Sequence, residues 1–221
     1  MIDYQLVPDG EAAAAAALEL VLEQAAAAIA ARGRFVLGLS GGSTPERLYR
    51  LLAKTDADWD RWHLVYGDER CLPLHHEDRT STLVARCWLD EVGFPGKNHH
   101  VPAVELGAET AAAQYAATIE PLLPLDLALL GIGEDGHTAS LFPGHKHPAQ
   151  AVVPVKGSPK PPPERISLSY ETLSSARALC FLVTGTGKRE VLQQILRGED
   201  LPAAKILGQT ITSLITDLPV D

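Results

Sequence analysis

Four times in this chain a short apolar run stops at a turn of glycines or charges, and helix-forming sequence fills much of the intervals. The runs are Arg34-Phe35-Val36-Leu37-Gly38-Leu39-Ser40, His63-Leu64-Val65-Tyr66, residues 125–132 and residues 178–184. Short apolar segments bounded by turn residues read as strands buried on both faces. Segments 45–53, 81–89, 108–122 and 188–197 read as helices, the first with Pro45 in its opening turn. A last short strand is expected at 212–216. Strands alternating with helices predict an α/β fold with a mostly parallel sheet and helices on both faces.

Residues 11–32 are strong helix formers, with Leu18, Val21, Leu22, Ala25 and Ile29 tracing one face and Gly33 as the stop. A low-complexity linker is the alternative, but the apolar period favours a packed helix. Glu19, Glu23 and Gln24 interrupt the stretch and argue against a membrane span. The first residues lack the basic and apolar regions of a signal peptide, so a cytoplasmic protein is expected. With 221 residues, one large domain or two small ones are possible. Segment 144–163 holds six prolines and reads either as a linker or as a loop. A boundary there would leave about 60 residues behind it, too few for a comfortable core. One domain over 1–221 is therefore expected, with 144–163 as a loop at the mouth of a site.

The formal charge of −9, from 19 basic and 28 acidic residues, argues against a nucleic-acid partner. It leaves room for an anionic small molecule, which senses only the charges of its own pocket. Cys71, Cys87 and Cys180 form no CxxC pair, so neither a disulfide framework nor a zinc site is expected.

Chemistry gathers at the strand ends, where open α/β sheets bind ligands. Ser40-Gly41-Gly42-Ser43-Thr44-Pro45 joins a strand to a helix. Its glycines allow close approach, and the helix start attracts an anion. A plain N-cap is the structural alternative, and the spacing is neither a P-loop nor GxGxxG. Gly67-Asp68-Glu69-Arg70, taken alone, reads as an exposed charged turn. Gly133-Glu134-Asp135-Gly136-His137 puts a histidine, the natural base near neutral pH, two residues from a carboxylate that can orient it. Thr184-Gly185-Thr186-Gly187-Lys188 offers a lysine beside a helix start, and Arg165 is a second candidate cation for a phosphate. His145 and His147 read as ordinary surface residues, and His75, His76, His99 and His100 show no metal-ligand spacing.

Together these four loops resemble the glucosamine-6-phosphate isomerase/6-phosphogluconolactonase family, in order from Gly38 to Lys188. Gly133 to Pro143 is the most specific stretch, and Asp68-Glu69-Arg70 with Pro73 the second. The resemblance implies the Rossmann-like fold shared with glucosamine-6-phosphate deaminases and ribose-5-phosphate isomerases. Two positions favour lactonase over deaminase. The deaminases carry a relay glutamate where this chain has Phe142, and usually a tyrosine where it has Arg70. Many lactonases have an asparagine soon after the Asp-Glu-Arg loop, where this chain has Thr80 after Arg79.

The implied reaction is hydrolysis of 6-phospho-D-glucono-1,5-lactone without cofactor or metal. On that reading Gly41, Gly42, Ser43, Thr44, Arg165 and Lys188 hold the phosphate. His137, oriented by Asp135, activates water, and Arg70 or backbone N–H groups meet the oxyanion. Asp68 and Glu69 either hold Arg70 or contact sugar hydroxyls. No GxSxG elbow suggests an acyl-enzyme. The expected partners are the sugar-phosphate lactone alone, with no nucleic acid or membrane, and a monomer or weak homodimer. A deaminase/isomerase or a non-catalytic sugar-phosphate sensor are the alternatives.

Overall fold

The helix formers at the start of the chain build α1 (Gly10–Arg32) in the computed structural model, which describes residues 2–220. Asp9 caps it by accepting from the N–H groups of Glu11 and Ala12, and Gly33 closes it in the left-handed conformation. By length and composition alone α1 is apolar enough to cross a membrane, yet here it packs on the sheet and on α2 (Ser43–Leu52). Its buried face includes Val21 and Ala25 of the expected one but is shifted toward the alanines. Ala13, Ala14, Ala17, Val21, Ala25 and Ala28 are buried, while Leu18, Leu22 and Ile29 sit partly exposed at its flanks. Alanines let the helix axis approach its neighbours more closely than leucines would, so the small residues take the contact.

The main sheet is parallel throughout and runs β1 (Ile2–Leu6), β10 (Ile211–Thr216), β9 (Ala178–Val183), β6 (Leu127–Leu130), β2 (Phe35–Leu39), β3 (Trp62–Tyr66), β5 (His99–His100). Every residue of β2, β6 and β9 is buried, which requires cover on both faces. The order reverses direction between β2 and β6, so their carboxyl ends diverge into a crevice.

A second, antiparallel sheet of β4 (Asp68–Arg70), β8 (Arg165–Leu168) and β7 (Val152–Val155) stands over that crevice. Segment 144–163 is thus not simply a loop. Val152, Val153 and Val155 are buried apolar residues, and Pro154 fits because β7 lies at the edge of its sheet. Gly67 joins the two sheets, donating to the Leu39 carbonyl at 2.8 Å and accepting from Leu168 N–H at 2.7 Å.

The remaining helices are α3 (Thr80–Val84), which continues through a wider turn at Ala85–Leu89 into α4 (Asp90–Val92), then α5 (Ala108–Ile119), α6 (Tyr170–Ser174) and α7 (Arg189–Leu196). One hydrophobic cluster joins both sheets and their helices. At the amino end of β6, buried Asp126 accepts from Val36 N–H and Arg32. Charges at that end close the fold, and those at the carboxyl end line a cavity.

Candidate active site

The crevice is a cavity of about 330 Å³ formed by the ends of β2 and β6, the small sheet and the α7 entrance. Its most constrained wall is the turn after β6. Gly133 N–H donates to the His137 carbonyl at 2.8 Å, Gly136 N–H to the Gly133 carbonyl at 3.0 Å, and Thr138 Oγ1 to the Gly131 carbonyl at 2.8 Å. Gly136 has φ 81° and Ala139 φ 48°, the latter uncommon for a residue with a Cβ. That bent turn brings His137 Nδ1 to 2.5 Å from Asp135 Oδ1. With the carboxylate as acceptor, the ring proton belongs on Nδ1 and Nε2 keeps a free lone pair.

The His137 ring lies against buried Phe142, with centroids 4.7 Å apart. Burial pushes the imidazole below its ordinary value, and the Asp135 bond and charge only partly oppose this. Asp135 itself sits below the ordinary aspartate value. Burial raises it, but its bond to His137 and the histidine's charge outweigh that effect. The pair thus combines a neutral imidazole with an ionised carboxylate that orients it.

The small sheet supplies the facing wall. Arg70 and Arg165 are direct cross-strand partners, and both line the cavity. Like charges placed opposite each other on a sheet are unfavourable, so this pairing is suited to an anion between them. Burial lowers Arg165; Asp68 opposes and Arg70 reinforces that shift. Asp68 faces the cavity and accepts from Ser140 Oγ at 2.6 Å. Lys188 completes the lining from the α7 side. Burial lowers its ammonium, Glu134 opposes, and a second lysine, Lys160, adds to the lowering.

Several expected positions are used otherwise. Glu69 is fully buried and does not line this cavity. Its carboxylate accepts from the N–H groups of Arg70 at 2.9 Å, Thr80 at 2.8 Å and Ser81 at 2.8 Å, so it caps α3. The turn 67–70 is therefore not an exposed charged turn. Gly41 and Gly42 line the cavity, but Ser43 is exposed and lines an adjoining recess that shares Gly41, Gly42, Arg70 and Thr80 with it, and Thr44 Oγ1 bonds Thr184 Oγ1 at 2.8 Å. Neither Ser43 nor Thr44 is among the residues that line the main cavity. Arg165 spends Nε and Nη2 on backbone carbonyls of the proline-rich loop. His145 and His147 are half-buried against Phe142 and Tyr170 instead of lying free on the surface. His99 bonds the buried Tyr66 hydroxyl and His100 faces His63 at 3.2 Å.

Ser40, Thr80 and Lys160 also line the cavity, though none was an expected site residue. Ser40 Oγ is shielded from solvent and has no hydrogen-bond partner among the described residues. Thr80 fits because Gly41 has no side chain; a Cβ there would stand 2.8 Å from Thr80 Oγ1.

Comparison with known proteins places these loops in context. The family model described as glucosamine-6-phosphate isomerases/6-phosphogluconolactonase matches residues 8–215. A 6-phosphogluconolactonase of Homo sapiens is 38% identical over 214 residues, spanning 89% of this chain and 83% of the relative. One of Nostoc sp. is 36% identical over 203 residues, spanning 86% and 83%. The crystal structure of 6-phosphogluconolactonase from Thermotoga maritima superposes with a TM-score of 0.91 at 27% identity, covering 98% of this chain and 99% of that one.

Proposed function

This chain belongs to the glucosamine-6-phosphate isomerases/6-phosphogluconolactonase family, and within it we propose that the chain hydrolyses 6-phospho-D-glucono-1,5-lactone to 6-phospho-D-gluconate, the lactone-opening step of the oxidative pentose phosphate pathway. The observation that carries the reading is the Asp135–His137 pair, with Nε2 free, in a cavity walled by Arg70, Arg165 and Lys188.

His137 Nε2 takes a proton from the water that attacks C1. The carbonyl π bond opens and its electrons become the oxyanion, stabilised by Arg70 and the backbone N–H groups of the glycine turns. When the oxyanion collapses, the bond from C1 to the ring oxygen breaks, and His137 returns its proton to that oxygen. The carboxylic acid product then loses a proton to solvent. Cations remote from C1 bind the phosphate, and that binding energy orients the lactone. Residues 1–221 act as one lactonase domain and one working chain, since His137, Arg70, Arg165 and Lys188 line a single cavity. The reading carries a cytoplasmic location with it. A deaminase would need an acid at the position of Phe142, whose buried ring instead shields His137.

The test is proton release on adding freshly generated lactone to wild type and His137→Ala. Acceleration over spontaneous opening is expected, falling by about 10²–10⁴-fold in the variant. A folded wild type that does not accelerate opening overturns the assignment.

A further inference from the structure

Between β7 and β8 the chain crosses the cavity mouth as a run of prolines interrupted by Lys160. Buried Arg165 binds this crossing from beneath. Its Nε donates to the Pro162 carbonyl at 3.2 Å, and Nη2 donates to the carbonyls of Lys160 at 3.1 Å and Pro161 at 2.9 Å. Ser158 ties the other side, its Oγ donating to the Lys160 carbonyl at 2.8 Å and accepting from Lys160 N–H at 3.3 Å. The result is a fastened turn that puts Lys160 and Pro161 on the cavity wall.

Among the described residues, neither the Lys160 nor the Lys188 ammonium lies within 4.0 Å of a carboxylate, although the chain carries a net charge of −9. Both line the same cavity, and the charge of Lys160 acts on both His137 and Lys188. Arg165 is differently committed. A guanidinium recognises phosphate through a planar fork of free donors, and Nε and Nη2 are already bonded to main chain.

We propose that Lys160 is a substrate-binding residue that grips the phosphate together with Lys188, and that Arg165 is a positioning residue holding the turn that presents Lys160. This deepens the lactone reading above and rests on it for the identity of the substrate. The prolines around Lys160 restrict its backbone before substrate arrives, which reduces the ordering cost of closing a lysine on an anion. Arg165 keeps its charge near the site, but its main effect passes through the turn.

The experiment is calorimetric titration of wild type, Lys160→Gln, Lys160→Arg and Arg165→Lys with 6-phosphogluconate and with gluconate, alongside steady-state kinetics. Thermal melting of each variant controls for folding, and Lys160 is exposed enough for its replacement to be tolerated. Lys160→Gln is expected to weaken 6-phosphogluconate by about tenfold or more, the scale of one lost charged contact. Gluconate binding stays unchanged, and KM rises while kcat moves less than about twofold. Lys160→Arg restores most of the affinity. Arg165→Lys retains a positive charge yet reproduces the Lys160→Gln pattern, and trypsin cleaves its loop faster. Unchanged 6-phosphogluconate affinity in Lys160→Gln overturns the proposal, and a normal KM in Arg165→Lys overturns the positioning role. Binding is read without turnover. A wild type that binds 6-phosphogluconate through Lys160 but opens no lactone therefore removes the reaction and leaves this site standing.

Discussion

The His137 ring is packed directly on the backbone of Gly133. A Cβ at Gly133 would overlap both Nδ1 and Cε1 of the ring and crowd Asp135 Oδ1 at 2.6 Å. This glycine is needed for space over the catalytic pair. In Gly133→Ala the ring must leave its place beside Asp135. The fold survives at a cost of about 1–3 kcal/mol, the usual penalty of overpacking. A displacement of the base on the order of 1 Å costs roughly 10²-fold in rate, so kcat should fall at least that far with only a modest loss of Tm. A folded variant of normal kcat would show that the packing does not set the geometry of the base.

The pH profile carries a signed expectation. His137 acts as a base in its neutral form, and burial holds it below the ordinary histidine value of about 6.5. Activity therefore persists through that pH and falls only further into acid. Asp135 opposes the shift, so Asp135→Asn removes an influence that raises His137. The acid limb of kcat/KM should move to still lower pH while the plateau drops by roughly 10²–10⁴-fold as orientation is lost. An acid limb that moves upward in Asp135→Asn would contradict the pair as described.

Glu69 is expected to matter for stability first and for binding second. Its buried carboxylate accepts three backbone N–H groups, two of them at the start of α3. Burial raises its pKa above the ordinary glutamate value, with the bonds from Ser81, Arg70 and Thr80 opposing. Glu69→Gln replaces one acceptor oxygen with a donor and leaves at least one buried N–H unpaired, a cost of about 1–3 kcal/mol. For a chain of this size each kcal/mol lowers Tm by about 2–4 °C. KM should rise as well, because Arg70 and Thr80 both line the cavity. Thermal melting and kinetics on the same preparation check both parts, and an unchanged Tm would refute the capping role.

What the sequence displayed and what it hid divide along physical lines. β2, β6 and β9 are buried on both faces, so their apolar runs are continuous and readable, and the glycines after them mark the cavity. β7 was hidden because Pro154 and the prolines on either side of the strand read as loop, and β1 because Asp3 and Gln5 on an exposed edge break the apolar pattern. The role of Glu69 was illegible for another reason. A carboxylate that caps a helix eleven residues further on looks, in sequence, like one facing solvent. Arg165 was recognised as a cation at the site, but only coordinates reveal the carbonyls on which its donors are spent. Composition reveals charge; it does not reveal which donors remain free.

The same distinction separates two serines three residues apart. Ser43 opens α2 with an exposed side chain outside the main cavity, whereas Ser40 lines it and carries a shielded hydroxyl that has no partner among the described residues. A buried hydroxyl without a partner is unfavourable in the free protein and becomes favourable when a ligand oxygen completes its bond. Ser40→Ala should therefore leave Tm unchanged or slightly higher while raising KM by several-fold, about the 0.5–1.5 kcal/mol of one neutral hydrogen bond. Ser43→Ala should leave KM and kcat within about twofold of wild type, since only its backbone lies at the helix start. Kinetics of the two alanine variants side by side decide the matter. A larger KM effect at Ser43 than at Ser40 would mean that the phosphate is held at the α2 entrance by side chains, against the geometry seen here.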